Sequence, residues 1–270
     1  MDLERIDVVP TLPPRRAGSH KGDYGTVLVI AGGRGMAGAA ALVGEGALRS
    51  GAGRVRIACP REVQPVVASF DPCYMVYPVS QDDRGRIDFP ACREDLESLV
   101  EGATALAVGP GLGQSEGLRL LVRWLLESVS VPLVLDADGL NNLVGQTELL
   151  DALKRPVVLT PHPGEFGRLA GKTTAEVQAE RETLAAGFAG REHLVVLLKG
   201  TGTVVTDGRR LFVNTTGNPG MATGGAGDVL TGVIAALVGQ GLPASRPRNS
   251  GPTSTAWRAT SRATKTARSA

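Results

Sequence analysis

Asp228 is the one carboxylate in a polar, glycine-rich run, and its setting suits proton abstraction beside a phosphate. The run is Asn214-Thr-Thr-Gly-Asn-Pro-Gly-Met-Ala-Thr-Gly-Gly-Ala-Gly-Asp228-Val-Leu-Thr-Gly232. An apolar stretch at helical spacing follows at once, through Val229, Leu230, Val233, Ile234, Ala236 and Leu237. The local reading is a loop that leads into a helix N-terminus. The first amides of such a helix have no partner within it, and the helix dipole adds partial positive charge there. Gly224, Gly225, Ala226 and Gly227 are therefore a candidate anion cradle, because glycine lets the backbone come close to a ligand. Asp228 admits two readings. It is an ordinary first-turn acid, or it is the base that takes a hydroxyl proton as a phosphoryl group arrives. The run is not a P-loop, since no Gly-Lys-Ser/Thr follows, and it is not the Gly-x-Gly-x-x-Gly that follows a first strand.

Three further clusters carry polar chemistry. Lys199-Gly-Thr-Gly-Thr203 lies between two apolar runs. It reads as a tight turn with an outward lysine, or as glycines and amides for a nucleotide with Lys199 adding charge. His162-Pro-Gly-Glu165 joins a strand to a helix. His162 can simply cap or pack, and Glu165 can simply sit in a favourable first turn. In a phosphoryl-transfer site Glu165 would instead hold water on Mg²⁺, which prefers oxygen ligands and keeps several waters. Asp136-Ala-Asp-Gly-Leu-Asn141 offers two carboxylates and an amide in one turn. N-capping by Asp138 is the plain alternative there, with Asn141 supporting from behind.

The elements that must position these groups alternate regularly. Residues 1–19 read as a lead-in, where Pro10, Pro13 and Pro14 discourage regular structure. Buried strands are expected at 26–31, 54–59, 104–108, 132–136, 157–160 and 194–199, each a near-continuous apolar run. Two more follow at 203–206 and 210–214, joined by a hairpin at Asp207-Gly208. Helices are expected at 39–50, 115–128 and 173–190, while 60–90 shows no clear pattern. Small residues on the first of these helices imply close packing on the sheet. This alternation argues for one three-layer α/β/α domain over 20–244 with a mostly parallel central sheet. Gly109-Pro-Gly-Leu-Gly113 and the clusters at 136–141, 162–165 and 199–203 all follow C-terminal strand ends, the edge where open α/β sheets bind ligands.

Composition narrows the class. The chain has 270 residues, 42% apolar, and the formal charge of +2 is misleading. Six of the 29 bases fall in 245–270, at Arg246, Arg248, Arg258, Arg262, Lys265 and Arg268, with no acid among them. The remaining 23 bases meet 27 acids, so the body is mildly acidic and gives no sign of nucleic-acid binding. Residues 245–270 read as an atypical basic tail, either disordered or the product of a reading-frame change. No segment approaches the roughly 20 apolar residues of a membrane span, so no membrane partner is expected. The charged N-terminus precedes no apolar run of signal length, which reads as cytoplasmic. Cys59, Cys73 and Cys92 lack metal spacing and are expected as buried thiols.

Taken in order, these motifs resemble one family across 18–243. His20-Lys-Gly-Asp-Tyr-Gly25, Gly32 to Gly53, Val108-Gly-Pro-Gly-Leu-Gly113 and Leu135-Asp-Ala-Asp-Gly-Leu-Asn141 all match it. So do Leu159-Thr-Pro-His-Pro-Gly-Glu-Phe166, Lys199 to Thr203, and the signature Thr216 to Gly232. The family is the ADP/ATP-dependent NAD(P)H-hydrate dehydratases, of the ribokinase-like superfamily. The resemblance is to the dehydratase domain standing alone. It implies repair of hydrated NADH and NADPH (NADHX and NADPHX): ADP, or ATP in eukaryotic relatives, phosphorylates the ring hydroxyl, and phosphate then leaves. By carry-over, Asp228 is the base, and Gly38, Gly111, His162 and Asp228 contact the hydrated dinucleotide. Lys199, Gly200, Thr201, Gly202, Thr203 and Gly227 contact the adenine nucleotide, with Mg²⁺ as cofactor. Ribokinase-like relatives often assemble, so a homo-oligomer is expected. Two competing readings are a small-molecule kinase of the thiamin-precursor type and a non-catalytic adenine-nucleotide-binding protein.

Overall fold

Strands buried on both faces need apolar residues at every position, and the runs noted above form such strands. The computed structural model describes residues 3–7, 14–191 and 193–241. Ten strands make one sheet: β1 (Glu4–Arg5), β2 (Thr26–Ile30), β3 (Arg54–Pro60), β4 (Tyr74–Val79), β5 (Ala105–Val108), β6 (Leu133–Leu135), β7 (Val157–Leu159), β8 (Leu194–Leu198), β9 (Thr203–Thr206) and β10 (Arg210–Asn214). Their order is β1-β10-β9-β8-β7-β6-β5-β2-β3-β4, and among them only β9 runs against its neighbours. The sheet is therefore mostly parallel.

Successive side chains of a strand point to opposite faces, and each face finds its own helices. Leu28 and Ile30 point to one side with Leu106, Val108 and Leu135. There they meet α3 (Phe89–Val100), α4 (Glu116–Ser128), α5 (Asp138–Leu143), α6 (Pro163–Ala170) and α8 (Arg181–Ala189). Val27 and Val29 point to the other side with Ala105, Ala107 and Val134. That side is covered by α1 (Ala37–Arg49), α2 (Gln64–Phe70) and α9 (Ala226–Gly239). The result is three layers, α/β/α.

The helices α1 and α9 touch backbone to backbone. A Cβ on Gly46 would lie 2.4 Å from the Val229 carbonyl oxygen, and one on Gly232 would lie 2.0 Å from that of Val43. Close packing is thus what the small residues of α1 provide.

Several elements differ from the sequence expectation. Residues 60–90 contain α2, the edge strand β4 and the start of α3. The single helix expected at 173–190 is two, α7 (Thr174–Ala179) and α8, separated at Glu180, whose φ of −129° is not helical. Within the lead-in, Glu4–Arg5 pairs in parallel with β10. The hairpin at Asp207-Gly208 is present, with Asp207 Oδ1 accepting the amides of Arg209 and Arg210 at 3.1 and 2.8 Å. The tail at 245–270 lies outside the described residues. Among the described residues, no helix is long and apolar enough to cross a membrane.

Candidate functional site

All the polar clusters do lie at one edge, because each follows the C-terminal end of a parallel strand. The Gly32 amide bonds the Pro110 carbonyl at 2.8 Å and ties the loop after β2 to that after β5. Gly109 has a φ of +130°, and a Cβ there would lie 1.8 Å from the Asp136 carbonyl oxygen, so glycine is required. The Lys199 amide bonds the Pro161 carbonyl at 2.8 Å, joining the ends of β7 and β8. These bonds draw the loops into one continuous rim.

The centre of the rim is a knot of charge. Asp136, at the end of β6 and 1% exposed, accepts from Lys199 Nζ at 2.7 Å through Oδ1 and from Thr231 Oγ1 at 2.8 Å through Oδ2. Lys199 Nζ also lies 3.9 Å from Glu165 Oε2. Burial works against the ammonium, but Asp136 and then Glu165 outweigh it and hold Lys199 above its usual range. A Cβ on Gly227 would lie 3.4 Å from that Nζ, so the lysine reaches directly beneath the first turn of α9. Sequence reasoning saw Lys199 and Asp136 separately but missed the tie between them, and missed Thr231, which holds Asp136 from the other side. Their signal was positional only: Asp136 ends a neighbouring strand, and Thr231 stands one turn after Gly227.

Asp228 is the third residue of α9. It is pushed up to about 6, first by burial and then by the Asp136 charge, with Lys199 pulling the other way. A carboxylate in that range gains and loses its proton near neutrality, as a general base must. The glycine run before it leads into a helix N-terminus, as the local pattern indicates. Gly225, with a φ of +87°, is the N-cap of α9, and the helix starts with the amides of Ala226, Gly227 and Asp228. The position above Gly224 is open, with no atom within 4 Å of where its Cβ would be.

His162 and Glu165 form a reciprocal cap. His162 Nδ1 accepts the amides of Gly164 and Glu165 at 3.0 and 3.3 Å, while Glu165 Oε2 accepts the His162 amide at 2.8 Å. The plain reading of each therefore holds. The histidine ring is half exposed on the rim, so capping leaves a face of it free for a ligand. Asp138 differs from expectation: Ala137 is the N-cap of α5. Asp138 Oδ2 instead accepts the Gly113 amide at 2.8 Å, and its Oδ1 accepts from Asn141 at 3.0 Å. It braces the Gly109–Gly113 turn. Gly38 opens onto free space in the first turn of α1, whereas Gly111 is packed against Met36 and Ala39.

For a metal, the donor set is limited. Among the described residues, no cluster of three or more His, Cys, Asp or Glu side chains could hold an ion. Asp136, Glu165 and Asp228 nevertheless set three carboxylates against the one ammonium of Lys199. That excess of negative charge fits a magnesium ion carried on phosphate oxygens and water, with no protein cage.

A ligand edge of this kind on such a sheet defines the class as ribokinase-like. A ribokinase-like superfamily protein from Enterococcus faecalis shares the fold at a TM-score of 0.71 and 26% identity, covering 92% of this chain and 81% of that one. Residues 27–269 match the family described as NAD(P)H-hydrate dehydratase, and the chain belongs to that family. The ADP-dependent (S)-NAD(P)H-hydrate dehydratase of Bacillus subtilis is 39% identical over 230 residues, spanning 84% of this chain and 77% of that protein. A crystal structure of the Bacillus subtilis ADP/ATP-dependent enzyme, co-crystallized with ATP/Mg²⁺, superposes with a TM-score of 0.72 at 34% identity. It covers 92% of this chain and 82% of its own. The bifunctional NAD(P)H-hydrate repair enzyme of Moorella thermoacetica is 46% identical over 233 residues, 86% of this chain. The chain spans 44% of that relative's length.

Proposed function

We propose that this chain dehydrates hydrated NADH and NADPH, using ADP or ATP to phosphorylate the ring hydroxyl before phosphate departs. The observation that carries the reading is the meeting of Asp228, near neutrality in its proton affinity, with Lys199 beneath the amides that open α9. Asp228 takes the hydroxyl proton as the hydroxyl oxygen bonds phosphorus and the nucleotide's terminal bridge breaks. The amides of Gly225 to Gly227 and the Lys199 ammonium offset charge on the transferred group. Hydroxide leaves poorly and phosphate leaves well. Its departure with the C6–O electrons, and loss of a proton from the adjacent ring carbon, restores the dihydronicotinamide ring.

In this reading Lys199 to Thr203 and Gly227 hold the nucleotide, and Gly38, Gly111, His162 and Asp228 hold the dinucleotide. Glu165 faces magnesium through water, which supplies charge neutralisation on the phosphates. We read the compartment as cytoplasmic. Of the three thiols expected to be buried, Cys59 and Cys92 are, whereas Cys73 is exposed. A homo-oligomer belongs to the same reading and is checked by light scattering.

The deciding experiment mixes the purified chain with hydrated NADH, Mg²⁺ and either nucleotide. The expected outcome is recovery of NADH absorbance with one phosphate released per ring restored. A stable phosphorylated product would instead mark a small-molecule kinase. Nucleotide binding without any phosphate release would mark a non-catalytic binder.

A further inference from the structure

The turn from Lys199 to Thr203 is short, glycine-rich and at the rim, so something must hold its shape. Gly200 adopts a φ of +130° and Gly202 one of +64°. Glycines at such angles give a turn freedom as well as access, and that freedom is lost whenever a ligand orders it. One side chain grips the turn from the side of α8. Arg181 Nη2 donates to the carbonyl oxygens of Leu198, Lys199 and Gly202 at 2.9, 3.1 and 3.4 Å. Its Nη1 donates to Gln178 Oε1 at 3.0 Å. A Cβ on Gly200 would lie 3.2 Å from that Nη1, so the turn is shaped to let the guanidinium in.

We propose that Arg181 is the positioning residue that holds the Lys199–Thr203 turn in its nucleotide-binding shape. The inference rests on the reading of that turn as the nucleotide site. Three carbonyls bound to one rigid guanidinium orient three planar peptide units together, which no single-point donor can do. The Thr203 hydroxyl adds a closing bond to the Gly200 carbonyl at 2.8 Å. With the turn already set, a nucleotide does not have to order it on arrival, and affinity rises accordingly.

The charge of Arg181 supports the same role. The residue is half-buried, and burial draws its guanidinium below the usual range. Among the described residues its bonds go to the carbonyl oxygens of the turn and to the side-chain amide oxygen of Gln178. An arginine held by carbonyls keeps its full positive charge, so the turn it grips is favourable for a polyanion. The break at Glu180 is what allows the grip. It ends α7 and starts α8 at Arg181, turning that side chain toward the ends of β8 and β9.

The test compares the wild type with Arg181→Lys and Arg181→Met by calorimetric titration of ADP and of ATP, with thermal melts alongside. Steady-state kinetics then give KM for the nucleotide and for the hydrated dinucleotide separately. Loss of the oriented donors is expected to weaken nucleotide binding about tenfold in Arg181→Met, equivalent to about 1.4 kcal/mol. Arg181→Lys, which keeps the charge but not the fork, is expected to weaken it as well, with KM for the hydrate and kcat at saturating nucleotide unchanged. Should Arg181→Met fail to fold, Arg181→Lys decides alone. A wild type that binds nucleotide and an Arg181→Lys that binds it equally well overturns the proposal, as does an equal rise in both KM values. A wild type that binds neither nucleotide removes the proposed function itself, and this inference with it.

Discussion

Asp228 owes its proton affinity to two neighbours of opposite effect and to its own burial. Burial and the Asp136 charge raise it to about 6, and Lys199 restrains the rise. Asp228→Asn is expected to reduce kcat by roughly 10²–10⁴-fold, the usual worth of a positioned general base, while the dissociation constants of nucleotide and hydrate stay close to wild type. Stopped-flow turnover with parallel titrations checks this, and near-normal turnover would remove Asp228 as the base. The acid limb of kcat/KM is expected near pH 6, because the carboxylate must be ionised to accept a proton. The same shift has a stability consequence of definite sign. A folded-state value above the ordinary 3.8 means the folded chain binds this proton more tightly than the unfolded chain does. The contribution is therefore favourable at low pH and is lost as pH rises from about 4 through about 6. Asp228→Asn escapes that loss, so urea unfolding should find the variant more stable than wild type at pH 7 and less distinguishable at pH 4.

At the scale of elements, the helix that carries Asp228 is held in place by its contact with α1. Gly232 lets the two backbones meet, since a Cβ there would lie 2.0 Å from the Val43 carbonyl oxygen. Gly232→Ala must therefore shift α9, at a cost of about 1–3 kcal/mol for overpacking. It should also lower kcat, because the shift moves Asp228 relative to Lys199. Denaturant unfolding together with kcat measures both, and a variant with lowered stability but intact kcat would show that α9 tolerates displacement. These elements were largely legible in the sequence. β2, β5 and β8 are uninterrupted apolar runs, and polar clusters follow their C-terminal ends because parallel strands put all those ends on one edge. The region 60–90 was not legible for physical reasons. α2 is only one or two turns long with a proline near its start, and β4 is an edge strand that exposes Tyr77 and Pro78. Nor does local pattern announce a long-range tie. Asp136 and Thr231 are 95 residues apart, and Arg181 reaches forward to Gly202 across 21. Such pairs exist only once the sheet has brought strand ends together.

At the scale of the whole molecule, one sheet positions every group of the proposed site. Gly38 stands in the first turn of α1 after β2 and Gly111 on the loop after β5, while Lys199 and its turn follow β8, with Asp136 after β6 at the centre. A ligand that binds this rim can do so only when β2 through β8 are all in register, so binding free energy becomes folding free energy. The gain follows mass action: a nucleotide at 100 times its dissociation constant stabilises the folded chain by about 2.7 kcal/mol. For a chain of this size each kcal/mol moves Tm by roughly 2–4 °C, so saturating ADP or ATP should raise Tm by about 5–10 °C. Asp228→Asn should show a similar rise, since it loses a proton acceptor and keeps the cradle. Arg181→Lys should show a smaller rise at the same nucleotide concentration, since its turn has lost its grip. Differential scanning calorimetry of the three proteins, with and without nucleotide, separates chemistry from binding on one instrument. If the rise were the same in Arg181→Lys as in the wild type, the grip on the turn would be structural only. If it were absent in the wild type, the rim after β8 would not be a nucleotide site, whatever the family of the chain.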